Sequence, residues 1–284
     1  MSEKQTRRQF LQTAGIAAAS LAGAGSCLGQ DKLSSEKPTN KKQLNKFGLA
    51  SYTFKKFKLD EVLVMTKRAG LNYLCLKDFH LPLQDSDEQI RQATAKIKES
   101  GLILYGAGVI YMNSEAEVNR AFEYAKCAGV TMIVGVPKPE FLEMVNEKVQ
   151  QYDIKVAIHN HGPTDKIYPT PGSAYEKIKG LDKRIGLCID IGHTQRAGID
   201  PSEAAKQFAD RLLDIHIKDV SAATEKGETV EIGRGVIDIP KFVKTILNLG
   251  YDGIVSFEYE KDENDPLPGL TESVGYVKGV LATV

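Results

Sequence analysis

Four of the chain's five histidines, His159, His161, His193 and His216, fall at the ends of neighbouring apolar runs that also carry acidic residues. Three runs read Ala157-Ile158-His159-Asn160-His161-Gly162, Cys188-Ile189-Asp190-Ile191-Gly192-His193 and Leu213-Asp214-Ile215-His216-Ile217-Lys218. A fourth, Val255-Ser256-Phe257-Glu258-Tyr259-Glu260, carries two glutamates. Side chains alternate across a strand, so His159 and His161 share a face, as do Cys188 and Asp190, with His193 just past a turn expected at Gly192. In the third run Asp214, His216 and Lys218 oppose three aliphatic residues, and in the fourth Ser256, Glu258 and Glu260 share a face. Carboxylates and imidazoles that become buried must be paired or bound to a metal. Such a set suits Mn, Zn, Fe or Co, and its members are also the usual movers of protons. The fifth histidine, in Lys77-Asp78-Phe79-His80, reads equally well as structural or functional.

The elements that must position these residues alternate along the chain. Strand candidates are Phe47–Phe54, Leu71–Phe79, Leu102–Met112, Thr131–Val136, Lys155–Gly162, Ile185–Gly192, Leu212–Val220 and Gly253–Glu260. Between them Leu59–Ala69, Ser86–Ser100, Ser114–Ala128, Pro139–Gln150, Gly172–Lys179, Pro201–Arg211, Ile239–Leu249 and Pro268–Leu281 show helical spacing of apolar residues. Gly70, Gly101, Gly129 and Gly250 sit where left-handed helix stops belong, and Ser114, Asp200 and Asp238 are N-cap candidates. Strict βα alternation over eight units implies a parallel sheet that closes into a (β/α)8 TIM barrel spanning 47–284. An open doubly wound sheet needs a glycine-rich phosphate turn after an early strand, and none is present. In a barrel the polar strand faces look inward at the C-terminal mouth, where active sites lie.

Composition narrows the partners. With 37 basic and 37 acidic side chains the net charge is zero, so no long-range field favours nucleic acid or an anionic membrane. Cys27, Cys75, Cys127 and Cys188 form no C-x-x-C pair, and those in apolar runs read as small core residues. The first 30 residues read as an export segment. Thr6-Arg7-Arg8-Gln9-Phe10-Leu11 precedes the Ala/Gly/Leu-rich run Ala14 to Gly25, a twin-arginine pattern that directs the chain to the periplasm. Ala24-Gly25-Ser26-Cys27 is a loose lipobox, which makes Cys27 a candidate lipid anchor, and 31–46 reads as a linker.

Asp190-Ile191-Gly192-His193, His216-Ile217-Lys218-Asp219, Gly233-Arg234-Gly235 and Tyr251-Asp252-Gly253 leading to Glu258 resemble the sugar isomerase/epimerase-like (xylose isomerase-like) TIM barrels. The resemblance runs from Phe47 to the C-terminus. It implies one divalent ion, manganese first and zinc, iron, cobalt or magnesium after it, held at the ends of strands five to eight. Carried over by motif, three ligands are Asp190, His216 and Glu258. The fourth position commonly holds Glu in a Glu-Asn-His motif, and here it is His159.

The implied chemistry is proton abstraction beside a carbonyl of an unphosphorylated sugar or glycoside, passing through an enediolate. Glu258 or His159 is the expected base and Lys218 a donor to the developing oxyanion. His161, His193 and Lys77 are expected to contact substrate, Arg234 to clamp an anionic group, and Cys188 to pack beneath the ion. Isomerisation or epimerisation is the first outcome, and β-elimination from a 3-keto-glycoside is the second. A non-catalytic sugar-binding barrel is a third reading. A trinuclear zinc nuclease, which shares this barrel, needs more ligands than five histidines comfortably supply, and DNA binding should leave a basic surface that a net charge of zero does not favour.

Overall fold

The apolar runs form parallel strands that close on themselves. The computed structural model describes residues 44–284. The barrel strands are β1 (Phe47–Ala50), β2 (Tyr73–Leu76), β3 (Ile103–Met112), β4 (Met132–Pro137), β5 (Lys155–His159), β6 (Ile185–Asp190), β7 (Leu212–Ile217) and β10 (Ile254–Phe257). A two-stranded antiparallel ribbon, β8 (Asp219–Val220) and β9 (Thr229–Val230), rises between the last two. The order β1-β10-β7-β6-β5-β4-β3-β2 is closed, which excludes the open sheet. The export segment, Cys27 and the linker as far as residue 43 lie outside the described residues. Leu44, counted with the linker, is buried against the core, so packing starts ahead of β1. No helix among the described residues is long and apolar enough to cross a membrane.

Outward strand residues Ile189, Ile215, Ile217, Val255 and Phe257 are sealed beneath the helices. Gly70, Gly101, Gly129 and Gly250 take φ of 72°, 82°, 68° and 67°, the left-handed stops expected after helices. Ser114, Asp200 and Asp238 accept from the backbone N–H of Glu117, Ser202 and Lys241, as N-caps do. Cys75 and Cys188 are buried free thiols and Cys127 is partly buried.

Six of the eight strands stop short of their expected ends, whereas β3 ends at Met112 as expected and β4 runs on to Pro137; at β5 and β6 polar side chains replace the ladder partners. β5 ends at His159, since the next residue, Asn160, turns its amide to the neighbouring strand and accepts from Asp190 N at 3.0 Å. β6 ends at Asp190, whose Oδ1 accepts from His193 N at 2.8 Å and caps the short helix Ile191–Arg196. Gly192 is therefore helical and makes no turn. An added Cβ there would lie 2.4 Å from Lys218 Cγ, so its missing side chain makes room for the lysine stem. The first strand gives way to a 3-10 turn, Ser51–Phe54, and a 3-10 turn at Ala209–Arg211 follows the helix Pro201–Gln207.

Arg211 locks the wall beneath β6. It is buried, and its guanidinium donates to the carbonyls of Lys179, Leu181, Asp182 and Ile185 at 2.7–2.9 Å. Unmade hydrogen bonds to buried carbonyls cost ~1–3 kcal/mol each. Arg211→Met should lower the unfolding free energy by about 3 kcal/mol, read as a lower urea midpoint at unchanged slope.

Candidate active site

Adjacent strands β5, β6, β7 and β10 bring His159, Asp190, His216 and Glu258 together at the barrel mouth. One donor atom from each lies within 4.8 Å of all the others, and all four residues are buried. His159 Nε2 is 3.1 Å from His216 Nδ1 and 3.4 Å from Asp190 Oδ2, while His216 Nδ1 is 3.3 Å from Glu258 Oε2. Two imidazole nitrogens that face each other this closely, flanked by two carboxylate oxygens, form a donor set suited to a divalent ion. The orphaned ring nitrogens His159 Nδ1 and His216 Nε2, buried without partners, show that both rings are oriented by the cluster. The residues present thus fit the ion that the sequence implies.

Lys218 threads the middle of this set. Its side chain is fully buried, and Nζ lies 2.7 Å from Glu258 Oε2, 3.0 Å from Asp190 Oδ2 and in contact with Glu260. Burial raises the carboxyls of Asp190 and Glu258, but the Lys218 ammonium and the neighbouring imidazoles together outweigh it and hold both well below the usual range. The same carboxylates hold the Lys218 ammonium charged against its own desolvation. Lys218 Nζ hydrogen-bonds Glu258 and Glu260 and forms an ion pair with Asp190, so in this structure it compensates the charge of three carboxylates. Glu258 keeps a free oxygen. Oε2 serves Lys218 and His216, whereas Oε1 makes no hydrogen bond among the described residues and is not sealed from solvent.

Burial keeps His159, His161 and His193 neutral. His159 is pushed down to about 4, chiefly by desolvation. His193 is pushed down to about 3 by desolvation, aided by Lys218, His159 and Arg196. His161 is lowered for the same main reason. Arg196 donates to His193 Nδ1 at 3.1 Å, and since a guanidinium cannot accept, the His193 proton sits on Nε2. His193 thus offers an Nε2–H donor at the rim. His161 stacks on Tyr111, with centroids 5.8 Å apart, and Lys77 Nζ lies 5.9 Å from the Tyr111 ring. Lys77 itself donates to Val109 O at 2.6 Å and pairs with Asp78.

Two sequence candidates are not brought into the cluster. Arg234 is exposed and forms a bidentate pair with Glu272 at 2.6 and 2.8 Å, which occupies the guanidinium expected to clamp substrate. The flanking glycines explain the motif: Gly233 and Gly235 donate to Asp219 Oδ2 at 2.9 and 3.0 Å, and Val220 and Ile237 donate to Oδ1. His80 is structural. It bonds Ser51 Oγ through Nδ1 at 2.9 Å and the carbonyls of Phe54 and Phe57 through Nε2, both at 3.1 Å.

Sequence reasoning gave no role to three residues. Asn160 accepts from Asp190 N and donates to Asp190 O and Thr194 Oγ1, which fixes the ligand's backbone. Tyr111, about half exposed at the end of β3, is an aromatic rim whose strand-end position was a readable signal. Asp214, inside the barrel below His216, is fully buried, and desolvation pushes it up to about 6.

A model of the xylose isomerase-like TIM barrel matches residues 51–279. Among curated proteins, an inosose isomerase of Bacillus licheniformis is 22% identical over 167 residues, covering 52% of this chain and 60% of its own. An inosose dehydratase of Geobacillus kaustophilus is 27% identical over 146 residues, 45% of each. The chain spans about half the length of the curated relatives it matches, 41% to 60%. A crystal structure of IolI protein with a bound zinc atom superposes with a TM-score of 0.69 at 18% identity, covering 84% of this chain and 99% of that one. At that identity the likeness is one of fold.

The neutral histidines make stability depend on pH. His159 and His193 have folded values below those of the unfolded chain, near 6.5, so the unfolded state binds more protons between them. Their contribution is whole above about pH 6.5 and drains as pH falls towards 4, while His216, raised by Glu258, works in the opposite sense. The net loss in unfolding free energy between about pH 7 and about pH 5 should be ~2 kcal/mol by urea titration, and His193→Gln should flatten that slope.

Proposed function

The chain belongs to the xylose isomerase-like TIM barrel family, and on that premise we propose that it is a divalent-metal-dependent enzyme that removes a proton beside the carbonyl of an unphosphorylated sugar or glycoside. The observation that carries this reading is the cluster of His159, Asp190, His216 and Glu258 within 4.8 Å at the barrel mouth. Manganese is the first candidate for the ion, and the zinc atom of the IolI structure keeps zinc in view. When bound, the ion supplies Lewis-acid stabilisation of negative charge on a substrate oxygen. His159, Asp190, His216 and Glu258 would hold it.

Glu258 Oε1 is the base. Oε2 is fixed by Lys218 and His216, so the free oxygen has a set direction, and Lys218 keeps the carboxylate ionised at neutral pH. It takes the proton from the carbon beside the carbonyl, the C–H pair becomes the carbon–carbon double bond, and negative charge moves to the carbonyl oxygen. His193 Nε2–H is placed to donate a hydrogen bond to a substrate oxygen, and Tyr111 with His161 offers a flat edge for the sugar.

In isomerisation the proton of the neighbouring hydroxyl passes to the former carbonyl oxygen, and Glu258 returns its proton to the former carbonyl carbon as the second oxygen becomes the new carbonyl. In elimination the double-bond pair instead expels a group from the β-carbon. One observation keeps elimination close: His159 replaces a second carboxylate base, and a single base serves elimination or one-face isomerisation. The inosose isomerase and inosose dehydratase among the relatives carry names of both types. We place the enzyme in the periplasm, reached by the twin-arginine route, on the strength of the N-terminal sequence alone.

Purified protein with Mn should be incubated with keto-sugars and 3-keto-glycosides in deuterated water. Solvent deuterium in an isomer supports isomerisation, aglycone release supports elimination, and neither with any metal sinks both. Asp190→Ala and His216→Ala should each lose the ion, about one per folded chain in the parent, while circular dichroism stays unchanged. Full metal occupancy in either variant overturns the ligand assignment.

A further inference from the structure

We infer that the mouth takes a glycoside whose attached group is aromatic, with the sugar over the ion cluster and the aromatic group on a wall formed by Tyr52, Phe79 and Tyr111; this rests on the functional reading above. The cluster draws its four residues from the ends of β5, β6, β7 and β10, and at the ends of β1, β2 and β3 the rim is aromatic instead. Tyr52 follows β1, Phe79 lies three residues past β2, and Tyr111 is the penultimate residue of β3. Among the described residues only three phenylalanine or tyrosine rings are exposed, and two of them are Phe79 at 43% and Tyr111 at 47%. The third, Tyr276, packs over Gly233 instead. A single apolar ring in water needs no explanation, but rings from three successive strand ends that converge on the rim of a candidate active site mark a place for a ligand.

The rings lead outward from the cluster. His159 and His161 have centroids 4.5 Å apart, and the centroid of His161 is 5.8 Å from those of both His193 and Tyr111. Burial raises the Tyr111 phenol, and Asp165 and then Tyr52 add to the rise, which sets Tyr52 near Tyr111. Phe79 continues the line, with its centroid 6.0 Å from that of Tyr52. A sugar between His193 and His161 has Tyr111 as its next neighbour, and a group attached on that side meets Tyr52 and Phe79. The polar groups beside the wall are already engaged. Lys77 Nζ donates to Val109 O at 2.6 Å and pairs with Asp78 at 3.1 Å, Lys55 pairs with Glu263, and Tyr111 Oη lies 3.4 Å from His161 Nε2. A second sugar ring on the wall would need partners for its hydroxyls as well as a flat face. An aryl group needs the face alone, and it gains from offset or edge-on ring contacts beyond the area it buries.

The test compares glycosides that differ only in the attached group. Phenyl and methyl glucosides of each anomer, titrated with the protein in zinc-containing buffer and followed by ligand-observed NMR, should show one phenyl anomer bound about tenfold more tightly than its methyl counterpart. Phe79→Ala and Tyr52→Ala should each cut that preference about threefold, and Phe79→Tyr, which keeps the ring, should retain it. A phenyl-to-methyl ratio near one in the parent, no binding of either phenyl anomer, or an unchanged ratio in both alanine variants overturns the inference. Cellobiose bound as tightly as the phenyl glucoside points to a second sugar and overturns it as well. The titration needs no turnover. A protein that retains no divalent ion and turns over no keto-sugar therefore defeats the functional reading, while the phenyl-to-methyl ratio still decides this one.

Discussion

The buried ammonium of Lys218 is the interaction on which the mouth of the barrel depends. Moving such an ion out of water costs several kcal/mol even after relaxation, and Coulomb attraction offsets this only where partners are close and well placed. Asp190 arrives from β6, and Glu258 and Glu260 from the end of β10. They meet because Asp190 and Ser256 both stand in register with His216, so the charge set forms only when three strands are aligned. Gly192 belongs to the same constraint, since the lysine stem passes where its side chain would be. Fold closure and site geometry are in this sense one requirement.

Burial alone does not separate structural acids from reactive ones in this barrel; the kind of partner does. Asp219 is as deeply buried as Asp190, but four backbone N–H groups at 2.9–3.1 Å satisfy it, and it anchors the ribbon after β7. Backbone donors are fixed by the fold and cannot leave, so that carboxylate has nothing further to offer. Asp190 and Glu258 instead share one ammonium and two imidazoles, all side chains that can rearrange around a bound ion. The Gly233-Arg234-Gly235 motif follows from the first case. Gly235 leaves room for Asp219, and Arg234 is free to pair at the surface.

What could be read from the sequence was whatever depends on local pattern. Eight alternating units, the glycine stops and the period-two faces gave the barrel and put His159, Asp190, His216 and Glu258 among the polar residues of one rim, from which the family resemblance singled them out. Strand ends were misjudged because Asn160 and Asp190 end their strands through bonds to residues three to thirty-four positions away, which composition does not reveal. Arg234 and Lys218 were assigned to substrate for the same reason. A charged side chain is free or committed according to partners such as Glu272 or Glu260, each about forty residues distant. Asp214 was visible on the right face, but its depth below the rim depends on the register shift between Leu187 and Cys188.

His159 bears most directly on the chemistry. A glutamate there would give the ligand set a third negative charge beside Asp190 and Glu258, and a neutral imidazole adds none. Fewer anionic ligands leave more of a bound ion's charge for the substrate oxygen, which favours a strongly stabilised enediolate. The same exchange removes a base. His159 Nε2 faces Asp190 and His216, so the nitrogen that would take a proton is the one turned to the cluster, and Nδ1 is sealed. On the proposed reading Glu258 Oε1 remains as the base. Inverting a centre by opposed bases would need a second group besides Glu258, whereas isomerisation across one face and β-elimination need only one base, as the proposed role of Glu258 supplies.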